Sequence, residues 1–127
     1  MTQKVAILGS TGSIGTSSLK CLSNRSKFKI IILSANKNLI KLLRQCKKYN
    51  VKHAIIEETK NFQKFKVIFK KNNINLHLGL SNNIEKILKN KKISYCINSI
   101  SGIDGLEPTL KIIPLTKKIL IANKESI

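Results

Sequence analysis

The chain has 127 residues, enough for one domain with its own hydrophobic core. Its formal net charge is +18, but the basic residues are nearly all Lys and are spread along the sequence, which favours solvated surface over a nucleic-acid partner. No apolar run approaches the roughly 18 residues of a transmembrane helix. The first predicted strand also begins too near the N-terminus to follow a signal peptide. We therefore expect a cytoplasmic protein with no membrane and no nucleic-acid partner.

The cysteines and histidines show no redox or metal-ligand spacing. Cys21, Cys46 and Cys96 lack a CxxC arrangement, and each falls on an apolar helix face or in a strand, which predicts reduced, buried thiols. His53 and His77 have no ligand-spaced partner and are predicted to be ordinary strand or loop-edge residues. The six acidic residues form no paired carboxylate and no metal cluster. We predict no metal site and no catalytic residue in this chain.

The first element in chain order is a short apolar strand that ends in a glycine turn. Residues 5–8 form a continuous apolar run, typical of a strand buried on both faces, and Gly9, Gly12 and Gly15 follow. A helix is predicted over residues 13–21. Strand, glycine turn and helix form the layout of a dinucleotide-binding unit, in which the helix N-terminus attracts a phosphate.

Strands and helices are predicted to alternate along the rest of the chain. The further strands are predicted at residues 28–34, 51–56, 74–78, 94–100 and 118–122. The further helices are predicted at residues 38–49, 59–72 and 81–90 and after a glycine loop at 101–105. This alternation predicts an α/β fold in one domain, residues 1–127, with a Rossmann-like, doubly wound, mainly parallel sheet of about six strands.

Four loops are expected at the carboxyl ends of the strands, where such sheets bind ligands: residues 9–15, 35–38, 99–105 and 123–125. An NAD-specific domain places Asp or Glu after the second strand to hold the ribose 2′-hydroxyl. This chain has no carboxylate there, whereas Lys37, with Asn36 and Asn38 as further donors, suits a 2′-phosphate. The pattern favours NADPH over NADH.

Four segments resemble the 1-deoxy-D-xylulose 5-phosphate reductoisomerase family. They are GSTGSIG at 9–15, ANKN at 35–38, SGIDGL at 101–106 with PTL at 108–110, and ANKES at 122–126. The resemblance runs through the whole chain in order. It implies an NADPH- and divalent-metal-dependent oxidoreductase that converts 1-deoxy-D-xylulose 5-phosphate to 2-C-methyl-D-erythritol 4-phosphate in non-mevalonate isoprenoid biosynthesis. It also implies a homodimer for the full-length enzyme.

The resemblance implies roles for individual residues. Contacts to the cofactor pyrophosphate are assigned to Thr11, Gly12, Ser13 and Ile14, and contacts to the 2′-phosphate to Asn36, Lys37 and Asn38. Further NADPH contacts are assigned to Asn123 and Glu125, and substrate binding is assigned to Lys124. The family often has glycine where this chain has Asn36, a residue type that tolerates a positive φ. The family's Mg or Mn ligands and its catalytic residues lie beyond Ile127. The chain is therefore expected to be an N-terminal cofactor-binding part, inactive alone.

Two other classes stay open at this point. One is another NADP-dependent oxidoreductase with a GxxGxxG turn. An extended short-chain dehydrogenase needs a Tyr-x-x-x-Lys pair, and neither Tyr49 nor Tyr95 has a Lys four residues later. A semialdehyde dehydrogenase needs a nucleophilic Cys, whereas Cys96 lies in a predicted strand. The other class is a basic polyanion-binding module, whose binding to DNA would weaken steeply with salt.

Overall fold

The computed structural model describes residues 2–89, 93–100 and 116–121. The strands are β1 (Gln3–Leu8), β2 (Phe28–Ala35), β3 (His53–Ile56), β4 (Asn75–Leu78), β5 (Ile93–Asn98) and β6 (Thr116–Ile121). The helices are α1 (Ser13–Ser23), α2 (Leu39–Tyr49), α3 (Phe62–Lys71) and α4 (Leu80–Leu88). All of these elements were predicted, with differences only at their ends. The helix predicted after residues 101–105 lies outside the described residues.

The six strands form one parallel sheet with the order β4-β3-β2-β1-β5-β6. From β1 the chain moves outward to β4 and then returns to the other side of β1 for β5. The strand order therefore reverses between β1 and β5, which is the position where doubly wound sheets open a ligand crevice. The predicted fold class is confirmed.

The continuous apolar run of β1 is explained by helices on both faces of the sheet. Val5 and Ile7 pack in one hydrophobic cluster with residues of α1, α2 and α3. Ala6 and Leu8, which point to the opposite face, pack in a second cluster with residues of α4. All four side chains are fully buried. Among the described residues, no helix has the length and apolar character required to cross a membrane.

The prediction that all three thiols are buried was wrong for Cys21, which is exposed. The buried face of α1 carries Gly15 and Leu19, one helical turn apart, and Cys21 comes two residues later on the opposite side of the helix. Cys46 and Cys96 are buried as predicted, and burial raises the pKa of each thiol to about 12. At neutral pH these two cysteines are therefore protonated and poor nucleophiles.

His53 on β3 and His77 on β4 form a contact that the sequence did not predict. The Nδ1 atom of His53 lies 3.3 Å from Nε2 of His77, and the ring centroids are 5.6 Å apart. The β3–β4 register, in which His77 pairs with Ile55, places both rings on one face of the sheet. Two neutral imidazoles can share one N–H here, whichever ring carries the hydrogen.

Acid is expected to weaken this edge of the sheet. Burial lowers the pKa of both rings from the usual 6.5; Lys89 adds to the effect at His53, and His53, Lys66 and Lys86 add to it at His77. In acid the unfolded chain therefore binds more protons than the folded chain. The contribution of the two neutral rings to the free energy of unfolding is complete above about pH 6.5, and it is lost as the pH falls through their lowered pKa values. Urea unfolding between pH 5 and 7.5 measures this loss. In His77→Gln the pH dependence should be flatter, and an unchanged slope would contradict the assignment.

Candidate nucleotide-binding site

The glycine turn between β1 and α1 is fixed to the carboxyl end of β2. Gly9 has a φ of +78°, a left-handed conformation that favours glycine. Its N–H donates to the Ser34 carbonyl oxygen at 3.0 Å and lies 3.1 Å from Ser34 Oγ. The N–H of Ser10 donates to the same carbonyl at 2.8 Å. The chain therefore reverses direction at a defined position beside β2.

The other two glycines of the turn have different surroundings. A Cβ on Gly15 would collide with the carbonyl oxygen of Gly9 and lie 2.7 Å from Ser10 Cα, so α1 packs on the turn only with glycine here. Gly12 is exposed, and a Cβ there would lie 3.6 Å from Gly9 O, an ordinary contact. Gly12 is also the N-cap of α1, and it provides no side-chain acceptor for the N–H groups of the first turn. This end of α1 suits an anion.

The residues predicted to hold the pyrophosphate lie on the solvent side of this turn. Thr11 is half-buried, whereas Ser13 is exposed and the Ile14 side chain is 50% exposed. The structure thus brings these three residues and Gly12 together at the N-terminus of α1, where backbone N–H groups and a hydroxyl are accessible to a ligand.

The predicted 2′-phosphate loop lies at the end of the neighbouring strand. Asn36, Lys37 and Asn38 are all exposed between β2 and α2. Asn38 is the N-cap of α2, and its Oδ1 accepts from the N–H of Lys41 at 3.1 Å. The Asn38 side chain therefore has a structural role in addition to its predicted one, and only its Nδ2 can donate to an anion.

Asn36 does not need the positive φ that its resemblance to a glycine position implied. The described non-glycine residues with positive φ are Asn50, Asn61, Asn73 and Lys89. The carbonyl of Asn36 instead accepts from the N–H of Glu58 at 2.9 Å, so the backbone continues beside the end of β3. An asparagine therefore fits this position without backbone strain.

Two polar residues of α2 hold the glycine turn, and sequence reasoning missed both. Gln45 and Ser10 are buried and form a reciprocal pair: Ser10 Oγ donates to Gln45 Oε1 at 2.8 Å, and Gln45 Nε2 donates to the Ser10 carbonyl at 2.9 Å. One turn earlier, Lys41 Nζ donates to the Thr11 carbonyl at 2.8 Å. The sequence did contain a signal for Gln45, because a polar residue among the apolar residues of α2 indicates a buried hydrogen-bonding partner.

The first residues after β5 complete the turn from the other side. The Ser99 Oγ lies 2.8 Å from the Leu8 carbonyl oxygen and 3.0 Å from the Gly9 carbonyl oxygen, and its single hydrogen is donated to this pair of acceptors. A Cβ on Gly9 would lie 3.1 Å from the backbone N of Ile100. The turn is thus held between β2 and β5 and borders the crevice where the strand order reverses.

One group of predicted site residues, Asn123, Lys124 and Glu125, lies outside the described residues. Within residues 2–89, 93–100 and 116–121, no group of three or more His, Cys, Asp and Glu side chains could hold a metal ion.

A parallel sheet of this order, with a glycine turn at its crevice and a lysine-bearing loop on the adjacent strand, defines a Rossmann-like α/β fold. The family model of 1-deoxy-D-xylulose 5-phosphate reductoisomerase matches residues 5–127. The chain belongs to that family. Membership decides against the short-chain and semialdehyde dehydrogenase classes that the sequence left open.

Individual relatives agree with this assignment. The reductoisomerase of Pelagibacter ubique (strain HTCC1062) is 47% identical over 130 residues, which are 98% of this chain and 32% of that protein. The Buchnera aphidicola (subsp. Schizaphis graminum, strain Sg) protein of the same name is 41% identical, with coverage of 98% and 32%. The solved structure of the Zymomonas mobilis reductoisomerase in complex with NADPH has a TM-score of 0.87 at 28% identity and covers 99% of this chain and 33% of that one. This chain therefore spans about a third of the length of these relatives.

Proposed function

We propose that this chain binds NADPH as the cofactor-binding part of an enzyme that converts 1-deoxy-D-xylulose 5-phosphate to 2-C-methyl-D-erythritol 4-phosphate. One observation carries the proposal: an uncapped helix N-terminus and an exposed lysine loop without a carboxylate lie at the ends of adjacent strands. Relatives provide further support, since two solved reductoisomerase structures are complexes with NADPH, and one of these also holds fosmidomycin and magnesium.

The residues of the turn fit a dinucleotide. The N–H groups of Ser13 and Ile14 would hold the pyrophosphate, because the first turn of a helix leaves its N–H groups without a helical carbonyl. The Gly12 N–H already donates to the Gly9 carbonyl at 3.3 Å, so Gly12 would contribute mainly a close approach of the backbone, and the Thr11 hydroxyl would add a side-chain donor. A larger residue than glycine at position 12 would project a side chain where the phosphate approaches. NADPH, when bound, supplies a hydride, and this chain's task is to bind and orient it.

The loop after β2 would select the cofactor. Lys37 supplies a charge and Asn36 and Asn38 supply amide donors for the adenosine 2′-phosphate, the group that distinguishes NADPH from NADH. We further propose that Asn123 and Glu125 contact NADPH and that Lys124 binds the sugar-phosphate substrate. These three residues follow β6, and the carboxyl ends of parallel strands share one edge of the sheet.

The remaining features of the enzyme are proposed for the longer protein. Its divalent cation, Mg or Mn, would take its ligands from residues beyond Ile127, and the whole enzyme would be a cytoplasmic homodimer. In this picture, residues 1–127 form the NADPH-binding domain. The high positive charge would attract phosphorylated ligands over long distances without forming a nucleic-acid site.

Lys37→Ala tests the cofactor assignment. We expect about a tenfold weaker affinity for NADPH and less than about a twofold change for NADH, because only NADPH carries the 2′-phosphate. Calorimetric titration of the chain at two salt concentrations measures both affinities. Lys29→Ala is the matched control, since Lys29 is exposed at the amino end of the same strand. Equal losses for the two nucleotides in Lys37→Ala would refute the assignment.

A further inference from the structure

Lys41 joins the two loops to which the phosphates of the cofactor are assigned. Its backbone N–H donates to Asn38 in the loop after β2, and its Nζ donates to the Thr11 carbonyl in the glycine turn, at 2.8 Å. The side chain is half-buried. An ammonium group has three N–H donors, and the Thr11 carbonyl uses one of them.

The position of this ammonium is fixed by the next turn of the same helix. Gln45 holds Ser10 by two buried hydrogen bonds of 2.8 and 2.9 Å, so α2 cannot slide along the glycine turn. Lys41 extends from the same face of α2, one turn closer to the ligand edge. The charge is thus in place before a ligand arrives, which lowers the entropy lost on binding.

No carboxylate among the described residues forms an ion pair with Lys41. Within that part of the chain, the ammonium group donates to a neutral carbonyl, that of Thr11. A half-buried ammonium with two further donors, located between two predicted phosphate positions, is suited to an anion.

We propose that Lys41 is a second ligand of the adenosine 2′-phosphate and contacts it from the side of the glycine turn, with Lys37 on the loop side. The inference rests on the proposed NADPH function. The ribose of a dinucleotide lies over the end of the second strand, next to the loop after it. Lys41 lies in the first turn of the helix that follows that loop, and its Nζ reaches the Thr11 carbonyl at 2.8 Å, so the ammonium bridges the loop after β2 and the glycine turn.

The experiment compares Lys41→Gln with the parent chain in titrations with NADPH, NADH, 2′,5′-ADP and 5′-AMP. Glutamine keeps a donor for the Thr11 carbonyl and removes the charge. We expect affinity for NADPH and 2′,5′-ADP to fall about tenfold and affinity for NADH and 5′-AMP to change less than about twofold. Lys47→Gln is the matched control, because Lys47 is exposed on the same helix and its loss changes the net charge equally.

The outcomes separate this inference from the proposed function. A parent chain that prefers NADPH, with the same preference in Lys41→Gln, would leave the function standing and overturn the role of Lys41. Equal losses for NADPH and NADH would also overturn it, because they would mean that Lys41 only holds the turn. A parent chain that binds none of the four nucleotides would overturn both proposals. If Lys41→Gln fails to fold, Lys41→Arg decides: retained NADPH preference is expected, and its loss would contradict a charge-based contact.

Discussion

Gly15→Ala is expected to destabilise the chain by about 3 kcal/mol, although it adds a single methyl group. The new Cβ would collide with the carbonyl oxygen of Gly9 and come within 2.7 Å of Ser10 Cα and 2.9 Å of the Gly9 carbonyl carbon. All three are backbone atoms of a turn that β2 and β5 hold in place, so neither side can yield easily. Alanine's better helix propensity offsets only about 1 kcal/mol of this strain. Urea unfolding followed by circular dichroism measures the loss.

Gly12→Ala is the matched control for this prediction. A Cβ on Gly12 would lie 3.6 Å from the nearest atom, Gly9 O, and the residue has a φ of −74° that alanine adopts freely. Stability should therefore change by less than about 0.5 kcal/mol. NADPH affinity should nevertheless fall, because the methyl group would project towards the position proposed for the pyrophosphate. A Gly15→Ala chain as stable as the parent would show that α1 does not pack on the turn as described.

The fold could be predicted because its main signals are local in the sequence. The apolar run of β1, the alternation in β4 and the helical spacing of α2 each report the burial of one element. Parallel pairing then follows from the βα alternation and its handedness. Asn75 is exposed and Leu76 is buried in β4, as an edge strand requires, and that strand lies at the end of the sheet.

The contacts that hold the site could not be predicted in the same way. The His53–His77 pair depends on the register of two strands, and Ser99 reaches Leu8 only because β5 returns beside β1. Spacing within one segment carries no information about either arrangement. Cys21 shows a related limit: an apolar residue type predicted burial, but its angular position on α1 decided exposure.

The glycine turn combines features that the sequence predicts with contacts that it does not predict. The spacing of Gly9, Gly12 and Gly15 predicted the glycine turn after β1, because backbone conformation and close packing depend on the residue type itself. Which side chains fix that turn depends on the angle at which α2 crosses it. Gln45 and Lys41 were therefore missed, although the turn they hold was found.

Gln45→Leu is expected to destabilise the chain by about 2 kcal/mol while keeping a side chain of similar size. The variant leaves the Ser10 hydroxyl, which is fully buried, without the acceptor it uses at 2.8 Å. The Ser10 carbonyl keeps one donor, the Thr16 hydroxyl at 3.1 Å. Most of the expected loss of stability therefore comes from the unpaired Ser10 hydroxyl. Because the turn loosens as a whole, NADPH and NADH should weaken by similar factors, unlike the selective loss expected for Lys41→Gln.

A double-mutant cycle isolates the interaction. Ser10→Ala removes the hydroxyl that Gln45→Leu leaves unpaired, so the double variant should be more stable than the sum of the single losses predicts, by about 1 kcal/mol. Urea unfolding of the parent, the two single variants and the double variant supplies the four free energies of unfolding. Losses that add to within about 0.5 kcal/mol would mean that the two side chains act independently, and α2 would then hold the turn through Lys41 alone.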